Sequence, residues 1–319
     1  MPLTNKIDFA IVIGVHRANP NGDPLNANRP RQTADRLGEI SDVCLKRKLR
    51  NRLLAMGEDI FVQSDDNRSD ECRSLNDRFK ASGIALDGDV RKAVCGKWFD
   101  VRAFGQVFAF KAEKKKSAKG KKAEIPPDEG NDAAGSTDED AGSVSIGVRG
   151  PVTIQSAYSL APIVAESIQI TKSVNLETNE KNPDKKDGDT MGMKHRVSDA
   201  VYVAYGAITP QLATKTGFSA EDAGKLKLAL QSLFEGDASS TRPEGSMEIL
   251  RVVWCVHNSP CGQYSSARVH RAIGSALDKA KDGSLDEAAV KDALPGLPIN
   301  FLDPLEGEDL AKLSQTGNT

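Results

Sequence analysis

Apolar and polar residues recur along the chain with two periods that outline its elements. Residues 6–15, KIDFAIVIGV, are apolar and β-branched and are followed by turn chemistry, which predicts a buried strand. In ISDVCLKRKLRNRLLAMG, Leu45, Leu49, Leu53 and Met56 fall on one helical face, Ser41 or Asp42 can cap the start, and Gly57 can close the end. Lys46, Arg47 and Arg50 share another face, within an arc of about 100° at 3.6 residues per turn. Residues 60–110 read as helical and irregular. From 111 to 143 a lysine-rich block runs into an acidic Pro/Gly/Ser/Asp block with almost no apolar residues, and a flexible loop is expected there. Strands are predicted over 144–160 and 166–174, a polar insertion over 175–195, and strand-like alternation from 197. Residues 219–235 predict a helix capped by Ser219, 247–258 a strand, and SSARVHRAIGSAL a short helix. The last 40 or so residues are acidic and carry little pattern. Without its insertions the order is strand, helix, strand, strand, helix, strand. That is the split βαβ of an α+β, ferredoxin-like fold, of which the RNA-recognition module is one version.

Composition narrows the class. The chain has 319 residues, 39% of them hydrophobic, which is enough to bury a large core. It shows neither a secretory leader nor an apolar run of membrane-spanning length, so a cytoplasmic protein without membrane contact is expected. Five scattered cysteines, none in a CxxC pair, argue for reduced, mostly buried thiols rather than a disulfide framework or structural zinc. The net charge of −2 conceals a division. Residues 1–122 hold 25 Lys+Arg against 16 Asp+Glu (+9), and residues 123–319 hold 18 against 29 (−11). Seven of the lysines lie in 111–122 and can be explained as a solvated linker, yet +3 remains without that segment.

Candidate chemistry is sparse outside one loop. The four histidines, His16, His195, His257 and His270, have no metal spacing and no nucleophile motif, and no phosphate-binding glycine loop is present. His16 suits a general base, although a packing or hydrogen-bonding role explains a strand-end histidine better. Asp23, in NGDP, can bind a metal or move a proton, and equally is ordinary turn chemistry. RAFGQVFAF (102–110) half-matches an RNA-stacking strand, with Gln106 and Ala109 where aromatics are needed, so a packed segment is the simpler reading. The stretch HRANPNGDPLNANRPRQT (16–33) is different. Asn19, Asn21, Asn26 and Asn28 offer amide donors, Arg29 and Arg31 forked donors suited to phosphate, and Gly22 close backbone approach. Lys46, Arg50, Ser41 and the helix N-terminus would complete a surface that holds backbone phosphates. A solvated turn explains the same residues equally well.

The strings NPNGDPLNANRPR, ISDVCLKRKLRNRL, GVRGPVTIQSAYS, MGMKH and TGFSAEDAGKLKLALQSLFEGDASSTRPEG, in this order, resemble the crRNA-binding backbone subunit of type I-C CRISPR Cascade. The resemblance runs from about residue 4 to 258. It implies a right-hand shape: an RNA-recognition-like palm (1–58 and 144–276), a helical finger insertion (59–143, including the linker), a thumb hairpin (172–196) and an acidic C-terminal extension (277–319). It implies the opening loop and the helix at 41–56 along the guide, Arg149 as a further backbone contact, Met191 and Met193 as wedges against bases, and Lys194 and His195 near phosphate. The implied partners are crRNA, single-stranded target DNA in an RNA–DNA hybrid, copies of the same chain head to tail, and the large, small and end-capping Cascade subunits, with no cofactor and no catalysis. Type III relatives that cleave RNA with a loop aspartate keep Asp23 in view as an enzymatic alternative, and guide processing is another.

Overall fold

The computed structural model describes residues 2–86, 88–110, 144–171, 191–277 and 282–315. The linker at 111–143 and most of the thumb segment (172–190) lie outside them. In chain order the elements are β1 (Ile7–Ala18), β2 (Gly22–Asp23), β3 (Arg29–Pro30), β4 (Leu37–Ile40), α1 (Asp42–Ala55), α2 (Leu75–Ala81), α3 (Val90–Lys97) and α4 (Phe99–Phe104). These are followed by β5 (Gly105–Phe110), β6 (Val144–Arg149), β7 (Val152–Ile154), β8 (Ala157–Pro162), β9 (Ala165–Thr171), β10 (Met191–Ile208), α5 (Pro210–Thr216) and α6 (Ala220–Gln231). The chain continues through β11 (Met247–Val256), α7 (Ser266–Leu277), α8 (Glu287–Ala293), β12 (Ile299–Leu302) and α9 (Gly307–Gln315).

The main sheet runs β12-β11-β1-β10-β8-β4 and is antiparallel throughout, with β7 and β9 also paired to β10. β1 is central and covered on both faces, which is why its sequence is nearly continuous in apolar residues. Phe9, Ile11, Ile13 and Val15 face the cluster containing Leu45, Leu49 and Leu53 of α1 and Leu226 and Leu230 of α6. Ala10 and Val12 face Val269 and Ile273 of α7 and Val290 of α8. A separate aromatic core of Phe61, Phe79, Trp98 and Phe108, with ring centroids 4.6 to 6.4 Å apart, ties α2, α3 and α4 to β5. The RNA-stacking half-match at 102–110 is thus spent on packing: Phe108 is buried and Phe104 lies under the Arg50 guanidinium.

The helix ends follow the capping chemistry read from the sequence. Ser41 Oγ accepts from the Cys44 amide at 3.4 Å, and Ser219 forms a reciprocal capping box with Asp222. Gly57, past the end of α1, has φ +86°.

Three expectations are corrected. The single strand over 144–160 is three strands, because Gly150 packs where a Cβ would stand 2.3 Å from the Ala103 carbonyl and Pro151 interrupts pairing. Residues 191–195, assigned to a polar insertion, open the 18-residue β10. The segment 277–319 is more than an acidic extension: β12 pairs with β11, and Val290, Leu294 and Leu297 are buried in the core. Its elements are 4 to 9 residues long, too short to show a period. Among the described residues no helix is long and apolar enough to cross a membrane.

Candidate nucleic-acid interface

The polar loop after β1 is an ordered hairpin whose own side chains hold it. Asn19, 2% exposed, donates from Nδ2 to the Asn28 carbonyl at 2.7 Å. The Asn28 amide donates to the Asp23 carbonyl at 2.8 Å, and the Arg31 amide to the Asn21 carbonyl at 3.0 Å. Asn21 Oδ1 accepts from the Ser41 amide (3.0 Å) and the Ser41 hydroxyl (2.9 Å), clamping the hairpin onto the start of α1. Asp23 Oδ1 accepts from the Leu25 amide at 3.2 Å and caps the turn Pro24–Asn26. The asparagines read as ligand donors are therefore corrected in part. Asn19 faces inward, its amide donor spent on the Asn28 carbonyl, whereas Asn21 uses only its Oδ1 on Ser41 and keeps Nδ2 3.5 Å from the Gly22 carbonyl.

Between this hairpin, one side of α1 and the loop that follows α6 lies a groove of about 770 Å³. Four cationic side chains line it. Arg31 Nη2 stands 3.8 Å from Asp23 Oδ1, and Arg47 Nη2 stands 3.2 Å from Asp66 Oδ1. Lys48, 3% exposed, pairs with Asp237, and Arg242 Nε lies 3.6 Å from the same carboxylate. Burial pulls the Lys48 ammonium down from its ordinary pKa against the opposing pull of Asp237. Four cations against three carboxylates leave a positive balance, and each carboxylate holds its partner in place where an incoming phosphate oxygen would compete for it.

Of the residues singled out in the sequence, Asn21, Asn28, Arg31 and Ser41 line this groove, and Arg29 is exposed on the hairpin strand β3. Lys46 pairs with Asp42 at 2.9 Å. Arg50 is a correction. Its Nε donates to Asp100 Oδ2 at 3.0 Å, and its guanidinium covers Phe104 at 5.2 Å, an interior role that keeps it out of the groove lining. Arg149 is exposed on β6, paired in register with Gly105.

β10 continues past Val197, its last partner to β1, as a two-stranded hairpin with β9 alone. β3 lies against β10, so this hairpin rises from the same end of the sheet as the loop. Met191 and Met193 are 68% and 55% exposed on one face of it, with Ile170 exposed on the other. Lys194 is half-buried opposite Ile168. His195 is a further correction: it is buried, with Nδ1 2.9 Å from Ser167 Oγ, and does not face outward towards a phosphate.

Sequence reasoning missed Arg47 and Lys48 as lining residues and missed the 236–242 loop altogether. Lys48 looks like any charged residue of an exposed helix, and Arg242 lies almost 200 residues from it in sequence. The only local sign was a lone arginine in the Gly/Pro-bounded turn GDASSTRPEG. Among the described residues no group of three or more His, Cys, Asp or Glu is placed to hold a metal ion.

The family model described as CRISPR-associated protein Cas7 matches residues 5–292. A curated CRISPR-associated protein Cas7 from Haloferax volcanii is 36% identical over 121 residues, and the match spans 36% of each chain. Among solved structures, a chain of a "CRISPR RNA-guided surveillance complex, pre-nicking" aligns with TM-score 0.45 and 12% identity, covering 90% of this chain and 86% of that one. A chain of a "CRISPR RNA-guided surveillance complex" aligns with TM-score 0.46 and 13% identity, over 97% and 92%.

Proposed function

The chain belongs to the CRISPR-associated Cas7 family, and from that membership we propose that it is the non-catalytic, crRNA-binding backbone subunit of a type I-C Cascade. The observation that carries the reading is the groove in which Arg31, Arg47, Lys48 and Arg242 converge beside the ordered hairpin. Such a site holds phosphates and shape, while sequence is read by pairing between guide and target. The sheet order, with β10 and β11 flanking β1 and α6 crossing between them, supports a ferredoxin-like palm. The aromatic core around Phe61 and Trp98 supports a finger region, and the β9–β10 hairpin, starting at Ala165 rather than 172, supports a thumb with Met191 and Met193 as base wedges.

Copies assemble head to tail, one surface meeting a different surface of the next, which gives an open filament along the guide. The filament supports pairing with single-stranded target DNA and receives the large, small and end-capping subunits. Asp23, committed to capping its own turn, supports the non-catalytic reading.

Incubation with long single-stranded RNAs of unrelated sequence, with and without divalent metal, followed by nuclease footprinting, tests the proposal. Regular protection on intact RNA, with a log–log salt slope near −3 for four phosphates at about 0.7 each, is the expected result. Metal-dependent cleavage abolished by Asp23→Ala would replace it with a nuclease.

A further inference from the structure

The groove has a second chemical character that phosphate binding leaves unused. Leu25 is 97% exposed and Val43 is 66% exposed, while Pro24 and Val43 line the groove with the cations and Leu25 follows Pro24 at the hairpin tip. A single exposed leucine is common on protein surfaces. This one is held outward by unusual means. The tip is pinned by the Asp23 cap, by the pairing of β2 with β3, and by the Asn19 bond to Asn28. Among the described residues, every non-glycine with positive φ lies between positions 17 and 36, and Ala27 (49°) and Asn28 (58°) are in the tip itself. Left-handed backbone disfavours L-residues, so the surrounding bonds over-determine this turn and with it the position of Leu25.

A cationic groove lined by Pro24 and exposed Val43, with Leu25 exposed next to Pro24, matches one ligand chemistry. A single-stranded nucleic acid offers phosphates to cations and, once unstacked, the flat apolar faces of its bases. We infer that Val43 and the Pro24–Leu25 tip form an apolar platform for one unstacked base of the strand lying in the groove, beside the phosphate held by Arg31 and Arg47. The inference rests on the groove being a single-strand site and adds a contact indifferent to base identity, since every base has such a face. It assigns to the hairpin tip a role separate from the methionines of the β9–β10 hairpin.

The test measures affinity for a short oligoribonucleotide, one subunit's footprint long, with wild type, Leu25→Ser and Val43→Ser. The Val43 variant sits on α1, so its result does not depend on the hairpin turn. Both variants are expected to bind about tenfold more weakly with an unchanged salt slope, because the lost contact is uncharged. Replacing the ligand's bases one at a time with abasic sites should find one position where wild type falls to the variants' affinity and the variants lose nothing further.

Variants that bind the short ligand as tightly as wild type overturn the platform, even if they lose cooperativity on long RNA, an outcome that would place Leu25 against a neighbouring copy. Equal variant losses on intact ligand and at every abasic position overturn it too. A wild type that binds no RNA overturns the platform and the groove reading together, whereas normal wild-type binding with silent variants overturns the platform alone.

Discussion

Replacing Arg50 with methionine separates a structural cation from a ligand-binding one on the same helix. Asp100, 1% exposed, accepts from the Phe61 amide (2.7 Å), the Val62 amide (3.0 Å) and Arg50 Nε (3.0 Å). It ties α4 and the 61–62 segment to α1. Methionine keeps most of the side-chain volume but leaves the carboxylate buried with two amide donors and no bonded cation, only the more distant charge of Arg78. Breaking a buried pair costs about 3 to 5 kcal/mol, and the surviving amide bonds place this case at the lower end. The lost guanidinium stacking on Phe104 adds about 0.5 to 1 kcal/mol. A total of about 3.5 to 4 kcal/mol, with a urea m-value of about 3 kcal/mol/M, lowers the unfolding midpoint by about 1.2 M. RNA affinity under conditions where the variant is folded should keep the wild-type salt slope. Arg31→Gln should do the reverse, losing about 0.7 from the slope with little change in midpoint. A midpoint shift for Arg50→Met no larger than the ~0.5 kcal/mol of an exposed pair, together with a reduced salt slope, would refute the assignment of Arg50 to the interior.

Asp222 should confer acid-sensitive stability. Burial raises its carboxyl, but the bonds from Arg102 (2.8 and 3.1 Å) and the Ser219 amide (2.9 Å) outweigh it and hold the group below the ordinary aspartate range. A depressed folded pKa gives stability that is complete above the unfolded value of about 3.9 and disappears as pH falls through the folded one. The gap of about 2 kcal/mol expected between wild type and Asp222→Asn at neutral pH should therefore begin to narrow only below about pH 4 and close as pH falls through the folded pKa, as urea titrations across pH would show. Burial pushes the Cys95 and Cys255 thiols up to about 11 and about 12. A thiol reagent at neutral pH should label exposed Cys261 first, half-buried Cys72 and Cys44 more slowly, and Cys95 and Cys255 only at the rate of unfolding; Cys261→Ser should remove the fastest phase. Val290→Asp places a carboxylate in the core between α7 and α8, and loss of the cooperative unfolding transition is expected. An unchanged midpoint would mean that the region after 277 is dispensable.

The hydrophobic pattern by itself determined the central elements. The continuous run of β1, the leucines of α1 at four-residue spacing, and the caps at Ser41 and Ser219 are local signals whose outcome depends on neighbours a few residues away. The Asn/Gly/Pro/Arg loop was legible as the place to look, because its residue types fit no core. What each of its side chains does was decided by tertiary structure: Asn21 meets Ser41 20 residues later, Arg50 meets Asp100 50 residues later, and Lys48 meets Asp237 189 residues later. No local period encodes such pairings. They arise because β1, α1 and the turn after α6 are brought to one end of the sheet, where a lysine that would be solvated on an isolated helix becomes the floor of a groove. The same physics turned His195 inward and folded the weakly patterned C-terminal region onto the edge of the sheet. There, burial against β11 and α7 supplied the stability that elements of four to nine residues lack alone.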